Sequence, residues 1–386
     1  MPVLTSRERV EKAINHECPD RVPMDLVLTQ DAYARLVRHM GLENEVSAEQ
    51  GFTNWMNHAI IDMKVLRALD IDTVHLGSRP PTGYPVWQDD GGYIDEWGIK
   101  RAKIVRDDGT FYYEIVDSPI KTPTVEALDD FPWPDPADDS VLEGVEEKMS
   151  WWYNNTDQAI LAWFDRGGLG EQASYLRGLQ NWCTDLIARP EFCLKFLDKL
   201  ADISIEFNRR AIERVGRYVS ILRFTGWDLG TQNSLLFSPK MCHEMFKPVI
   251  KRVWGETKAH LKKANPRAKI YFHTCGAVYQ LMPMFVECGL DILDPIQTSA
   301  KGMDTKMINE NFGGDLSFHG GIDIQQFLPN ATVPEVWAEV KRVVGDLGPG
   351  GGYIMAPGHA LQSDIPPANI VAMYQACRAF GVYPLS

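Results

Sequence analysis

The chain has 386 residues, 45% of them hydrophobic and 24% charged, a globular composition with enough apolar residues for one large core or two ordinary ones. A formal net charge of −13 and the lack of any Lys/Arg block exclude a surface built to hold nucleic-acid phosphates. No apolar run reaches the roughly 18 residues of a membrane helix, the start MPVLTSRERVEKAINHECPDR lacks the apolar core of a signal peptide, and the seven scattered cysteines read as reduced thiols, so a cytoplasmic protein is expected.

In chain order, runs rich in β-branched or aromatic residues predict strands at VPMDLVL (22–28), DTVHLG (72–77), AILAWF (159–164), SILRFTG (220–226), KIYFHTCG (269–276), DILDPIQ (291–297), LSFHGG (316–321) and GYIMAPG (352–358). Helical stretches are expected between them, at 185–216, 239–264, 278–288 and 333–346. Strands alternating with helices predict an α/β chain, a single (β/α)8 TIM barrel over residues 1–386. The long interval between the second and third predicted strands reads as an insertion. There PPTGYPVWQDDGGYIDEWGIKR reads as an antiparallel β-meander and FPWPDPADDS (131–140) as a linker, so residues 78–158 are expected to lie on the barrel without a core of their own.

Barrel sites sit at the carboxyl ends of the strands. The strand KIYFHTCG ends there with His273, Thr274 and Cys275. In extended backbone, residues two apart share a side, so the imidazole and the thiol converge while Thr274 faces away. They are either two ligands of one ion or two ordinary core residues. A zinc shell usually needs at least three protein ligands. The last predicted strand runs into MAPGHALQSD, which offers His359 as the third ligand and leaves a fourth position for substrate or water.

Other groups belong to the same rim, each with an ordinary alternative. Asp228 either orients a ligand or bonds backbone amides of its turn; Glu171 is a fourth ligand or an acid, or else a helix-start carboxylate. Gln232 and Asp323 bind substrate or form loops. His319 and His75 face the site or belong to the structure. Trp55, Trp87, Trp97 and Trp227 wall an aromatic pocket or fill the core.

The blocks SRERVEKAINHECPDRVPMD, GWDLGTQNSLLFSP (226–239), FHTCG (272–276), LDILDPIQ (290–297), GGID (320–323) and GGYIMAPGHALQSDIPPANIVAMYQACRAFG (351–381) cover almost the whole chain. In their order and spacing the chain resembles the uroporphyrinogen decarboxylase superfamily, and within it the cobalamin-dependent methyltransferases, among them the methylcobamide:coenzyme M enzymes and O-demethylase components. The arginine-rich RQAGRY-type stretch of the decarboxylases is missing, and Arg21 alone opens RVPMD. The zinc branch uses an H-x-C block for its metal. Its coenzyme M members take a cysteine near the last strand as third ligand, where this sequence has Gly358 and His359.

The resemblance implies a zinc-dependent methyltransferase that moves a methyl group between a small methylated substrate and the cobalt of a corrinoid (cobalamin) carried by a partner protein. A shell with one thiolate in place of two leaves a more Lewis-acidic ion, which favours O-demethylation of a methoxylated compound. Transfer from a methyl-corrinoid to a thiol is the second form of this chemistry. A metal-free decarboxylase of a smaller acid, and an idle barrel that binds a corrinoid or a protein, are the other classes.

Overall fold

The computed structural model describes residues 3–48, 56–107, 109–164, 168–224 and 226–385. Its main sheet is parallel and made of β1 (Thr73–Gly77), then, after a separate four-stranded sheet, β6 (Ala159–Trp163), β7 (Val219–Phe224), β8 (Lys269–His273), β9 (Ile292–Ile296), β10 (Ser317–Ile322) and β11 (Tyr353–Pro357), hydrogen-bonded in chain order. The strands are short, rich in branched and aromatic residues, and buried along most of their length, as strands covered on both faces must be.

The predicted first strand, 22–28, is not a ladder. It makes isolated parallel bridges, Met24 with Met355 and Leu28 with Leu361. Pro23 has no N–H to give, and the chain instead alternates between two neighbours. Asp25 N–H donates to Met355 O on β11 (3.0 Å), whereas Asp72 N–H, just before β1, donates to Met24 O (2.9 Å). The segment thus joins the last strand to the first, and the curled seven-stranded sheet fits a TIM-like barrel.

The four strands between β1 and β6 are β2 (Val86–Trp87), β3 (Tyr93–Ile94), β4 (Lys100–Val105) and β5 (Phe111–Asp117), antiparallel throughout. Trp97, Ile99 and Leu128 of this interval join the same core cluster as the barrel's outer layer. At the other end, the helix Ser6–Ala13 starts with a Thr5–Glu8 capping box. Its Val10 and the following Ile14 pack against Ala159, Leu161, Ile221, Tyr271, Ile292 and Ile354. These apolar side chains form the lower layer of the barrel interior, and the polar ones lie nearer the carboxyl ends.

Proline divides one of the expected helices. The 185–216 stretch is two helices, Leu179–Ala188 and Pro190–Val215, because Pro190 at the first turn disfavours helical geometry at Arg189 (φ −143°, ψ 58°). No helix among the described residues is long and apolar enough to cross a membrane.

Candidate metal centre

Strand β8 carries His273 to the rim, and the chain turns immediately after it. Thr274 N–H donates to Asp294 O of β9 (2.7 Å), and the buried Thr274 hydroxyl accepts from Leu229 N–H (3.1 Å), on the side away from the site. Cys275 therefore returns to the His273 side. Gly276 follows at φ +91°, with backbone of Gly230 where a Cβ would stand, so only glycine lets these two loops lie together. Ala277 N–H to Thr231 O (2.8 Å) and Gly276 N–H to Gln297 Oε1 (2.8 Å) hold that contact.

Cys275 Sγ lies 3.4 Å from His273 Nε2. The His359 ring stands 5.4 Å from that of His273, centroid to centroid and at 74°, on the turn after β11. One ligand atom from each of the three residues falls within 4.8 Å of the others. Tetrahedral zinc with bonds of about 2.05 Å to nitrogen and 2.3 Å to sulfur sets those two atoms roughly 3.6 Å apart. The thiol and the imidazole already have that spacing, and the donor chemistry suits zinc.

Behind His273 runs a buried chain of alternating imidazoles and carboxylates. His273 Nδ1 meets Asp294 Oδ2 at 2.5 Å, which leaves Nε2 free to face the thiol. Asp294 Oδ1 meets His319 Nδ1 at 2.6 Å, and His319 Nε2 meets Asp25 Oδ2 at 2.9 Å. Asp25 also contacts His75 Nε2 (2.8 Å) and accepts from the Thr73 hydroxyl. Burial would raise the carboxyl pKa of Asp25 and Asp294, yet the facing histidines hold both well below the usual range. Burial would likewise depress His319, but Asp294 and Asp25 push it up to about 9.

His359 behaves differently. Burial, and then the charge of His273, bring it down to about 4, so its nitrogens carry no extra proton at neutral pH. Burial raises the Cys275 thiol against the pull of His273. His273 itself lies well above its ordinary value; burial opposes this, but Cys275 and Asp294 outweigh it.

The other rim candidates divide into near and far. Asp228 Oδ1 accepts from Cys275 N–H (2.9 Å) and lies 4.0 Å from His273 Nε2, with its side chain half-exposed. Glu171 accepts from the Tyr175 hydroxyl. Its Oε2 and His273 Cδ2 both come within 3.0 Å of where a Cβ of Gly226 would be. Gln232 is held between Gln325 (2.7 Å) and Gln297 (2.5 Å). Asp323 is spent on the backbone amides of Gln325, Gln326 and Phe327 at 2.9–3.1 Å, as a carboxylate that caps a turn. Trp227 is buried against Phe246 (4.2 Å) and does not wall the site. His319 lies beneath it, within the buried chain.

A cavity of about 480 Å³ opens between the carboxyl ends of β1 and β6 and the antiparallel sheet, lined by His58, His75, Trp97, Trp163 and Tyr175 among others. Among the described residues, Trp97 is the one expected wall residue that lines it. Trp87 is half-exposed against Tyr93 and Tyr113, and Trp55 lies outside the described residues. Sequence reasoning missed Asp25, Asp294 and Arg223. Its available signal was a charged residue in the middle of an apolar strand, as in LDILDPIQ and SILRFTG, where burial is costly without a partner or a use.

Residues 168–380 match the sequence pattern of the uroporphyrinogen decarboxylase (URO-D) family. A curated uroporphyrinogen decarboxylase from Proteus mirabilis (strain HI4320) is 22% identical over 282 residues, 69% of this chain and 71% of that protein. A solved methyltransferase from Methanosarcina mazei superposes with a TM-score of 0.65 over 98% of this chain and 99% of its own, at 17% identity, a likeness of fold.

Proposed function

We propose, on the premise that this chain belongs to the uroporphyrinogen decarboxylase family, that it is a zinc-dependent methyltransferase serving a corrinoid protein. The observation that carries the reading is the cluster of His273, Cys275 and His359 at the carboxyl ends of β8 and β11, with Asp294 fixing the His273 ring from behind. Zinc held by these three residues would supply a Lewis acid that draws charge from an ether oxygen or a sulfur as its bond to methyl breaks.

The protein's own groups have separable tasks. Asp294 keeps a proton at His273 Nδ1 and so presents the Nε2 lone pair. Asp228 fixes the backbone of Cys275. Glu171, close to His273 and bonded to Tyr175, is placed to take or give a proton beside the reacting atom. A corrinoid is too large for a cavity of about 480 Å³ and must approach from the rim on its own protein. A methoxylated donor giving its methyl to cobalt is the preferred direction, since a shell with one thiolate favours charge development on a departing oxygen.

The family match also raises decarboxylation of a porphyrinogen. Two amino-terminal arginines, Arg9 and Arg21, are engaged in a buried ion-pair network. Arg9 and Arg21 pair with Asp72 at 2.6 and 2.7 Å, at the amino end of β1 and away from the rim.

The test is direct. Purified protein should hold about one zinc per chain, and His273→Ala or Cys275→Ala should each remove it. With a reduced corrinoid protein and methoxylated donors, the cobalt absorbance should change only with metal-loaded protein. Equal rates with and without zinc, or CO2 release from a porphyrinogen, overturn the reading.

A further inference from the structure

The interior row one layer below the metal ligands is Trp163 on β6, Arg223 on β7 and Tyr271 on β8, register partners on three adjacent strands. The Arg223 guanidinium stacks 4.2 Å over the Trp163 ring and 5.8 Å from that of Tyr271. Among the described residues no carboxylate pairs with it and none accepts a hydrogen bond from it; its Nε is buried without a partner. The two arginines that line the cavity are matched: Arg101 lies 3.7 Å from Asp95, and Arg79 lies 3.2 Å from Glu143. An unmatched guanidinium inside a barrel is costly unless an anion arrives to meet it.

Its charge is felt at the cavity. His58, a cavity residue, is brought down to about 3 by burial and then by Arg223. The guanidinium, partly exposed, lies one layer below His273 and stacks on Trp163, which is part of the cavity wall. It is too deep for a macromolecular polyanion. The space beside it, lined by Trp97, Trp163 and Tyr175, suits a single aromatic ring.

We infer that Arg223 is a substrate-binding residue that receives the carboxylate of a small aromatic acid, whose ring lies in the cavity and whose methylated heteroatom reaches the His273–Cys275–His359 cluster. The inference rests on the methyl-transfer reading and deepens it by naming the substrate class. The planar guanidinium offers two parallel N–H donors to a carboxylate, and the two rings prevent it from turning away.

Binding of 4-methoxybenzoate and its neutral amide, measured by calorimetry on zinc-loaded protein without corrinoid, tests this apart from methyl transfer. The native protein should prefer the acid by roughly 10- to 100-fold. Arg223→Gln should erase the preference, and Arg223→Lys should keep part of it. Equal binding of acid and amide by the native protein overturns the inference, whatever the variants do. So does an Arg223→Gln protein that keeps the preference. A preserved preference with no methyl reaching cobalt sinks the methyl-transfer reading and leaves the carboxylate site standing; loss of the carboxyl group as CO2 makes the protein a decarboxylase.

Discussion

At the scale of single residues, the proposed chemistry rests on what stands behind His273. Its Nδ1 contact with Asp294 is short and buried, and Asp294 is itself fixed by His319. Asp294→Asn keeps the shape but removes the charge, and its amide can offer N–H where the ring needs an acceptor. Such outer partners are worth about 10- to 100-fold in metal affinity. Competition with a zinc chelator should show a loss of that size for Asp294→Asn, while His319, one hydrogen bond further away, should matter less when changed to Gln. An unchanged affinity in Asp294→Asn would mean that the contact does not orient the ligand. His273 and Cys275 were legible in the sequence because of their i, i+2 spacing at a strand end, and His359 because it follows the turn glycine after the last strand. Asp294 and Asp25 were not, since their partners are distant in sequence and the pairing exists only once the barrel curls.

At the scale of elements, seven of the eight expected strands form within a few residues of their predicted ends, because buried strands between helices leave a periodic signal that local composition carries. The site loops were less legible, because they depend on close approaches between distant glycines and rings. Gly170 opens the helix Gly170–Arg177, and a Cβ there would overlap the indole of Trp227. Alanine is the better helix former by about 1 kcal/mol, but overpacking a buried ring costs about 1–3 kcal/mol. Gly170→Ala should therefore lower the melting temperature and displace Glu171 at the next position. Gly255, exposed within the helix Lys247–Ala264 with nothing inside 4 Å of a Cβ, is the control. Gly255→Ala should raise stability by about 0.5–1 kcal/mol. Denaturant melts of the two variants should move in opposite directions, and a shared direction would show that helix propensity alone decides.

At the scale of the whole molecule, the same buried chain that orients the candidate metal ligand also closes the barrel. The seam at residues 22–28 has only isolated bridges, and Asp25, within it, binds His75 and Thr73 of β1 on one side and His319 of β10 on the other. Side chains thus complete a ring that the backbone ladder leaves incomplete. Removing one member of a buried ionic set strands the rest, at about 3–5 kcal/mol, so Asp25→Ala should be severely destabilised. The pH dependence follows from the two directions of shift. His319 moves from an ordinary value of 6.5 to about 9 in the folded protein, so its contribution is complete below pH 6.5 and is lost as pH rises through 9. Asp25 is held well below 3.8, so its contribution is present above that value and is lost as pH falls through the lower folded value. Melting temperatures at constant zinc should form a plateau between about pH 4 and 6.5 and fall on both sides. Replacing His319 by Gln should lower the plateau and flatten the alkaline fall, because the group that titrates there is gone. A His319→Gln protein with the native alkaline slope would place the closing charge elsewhere in the seam.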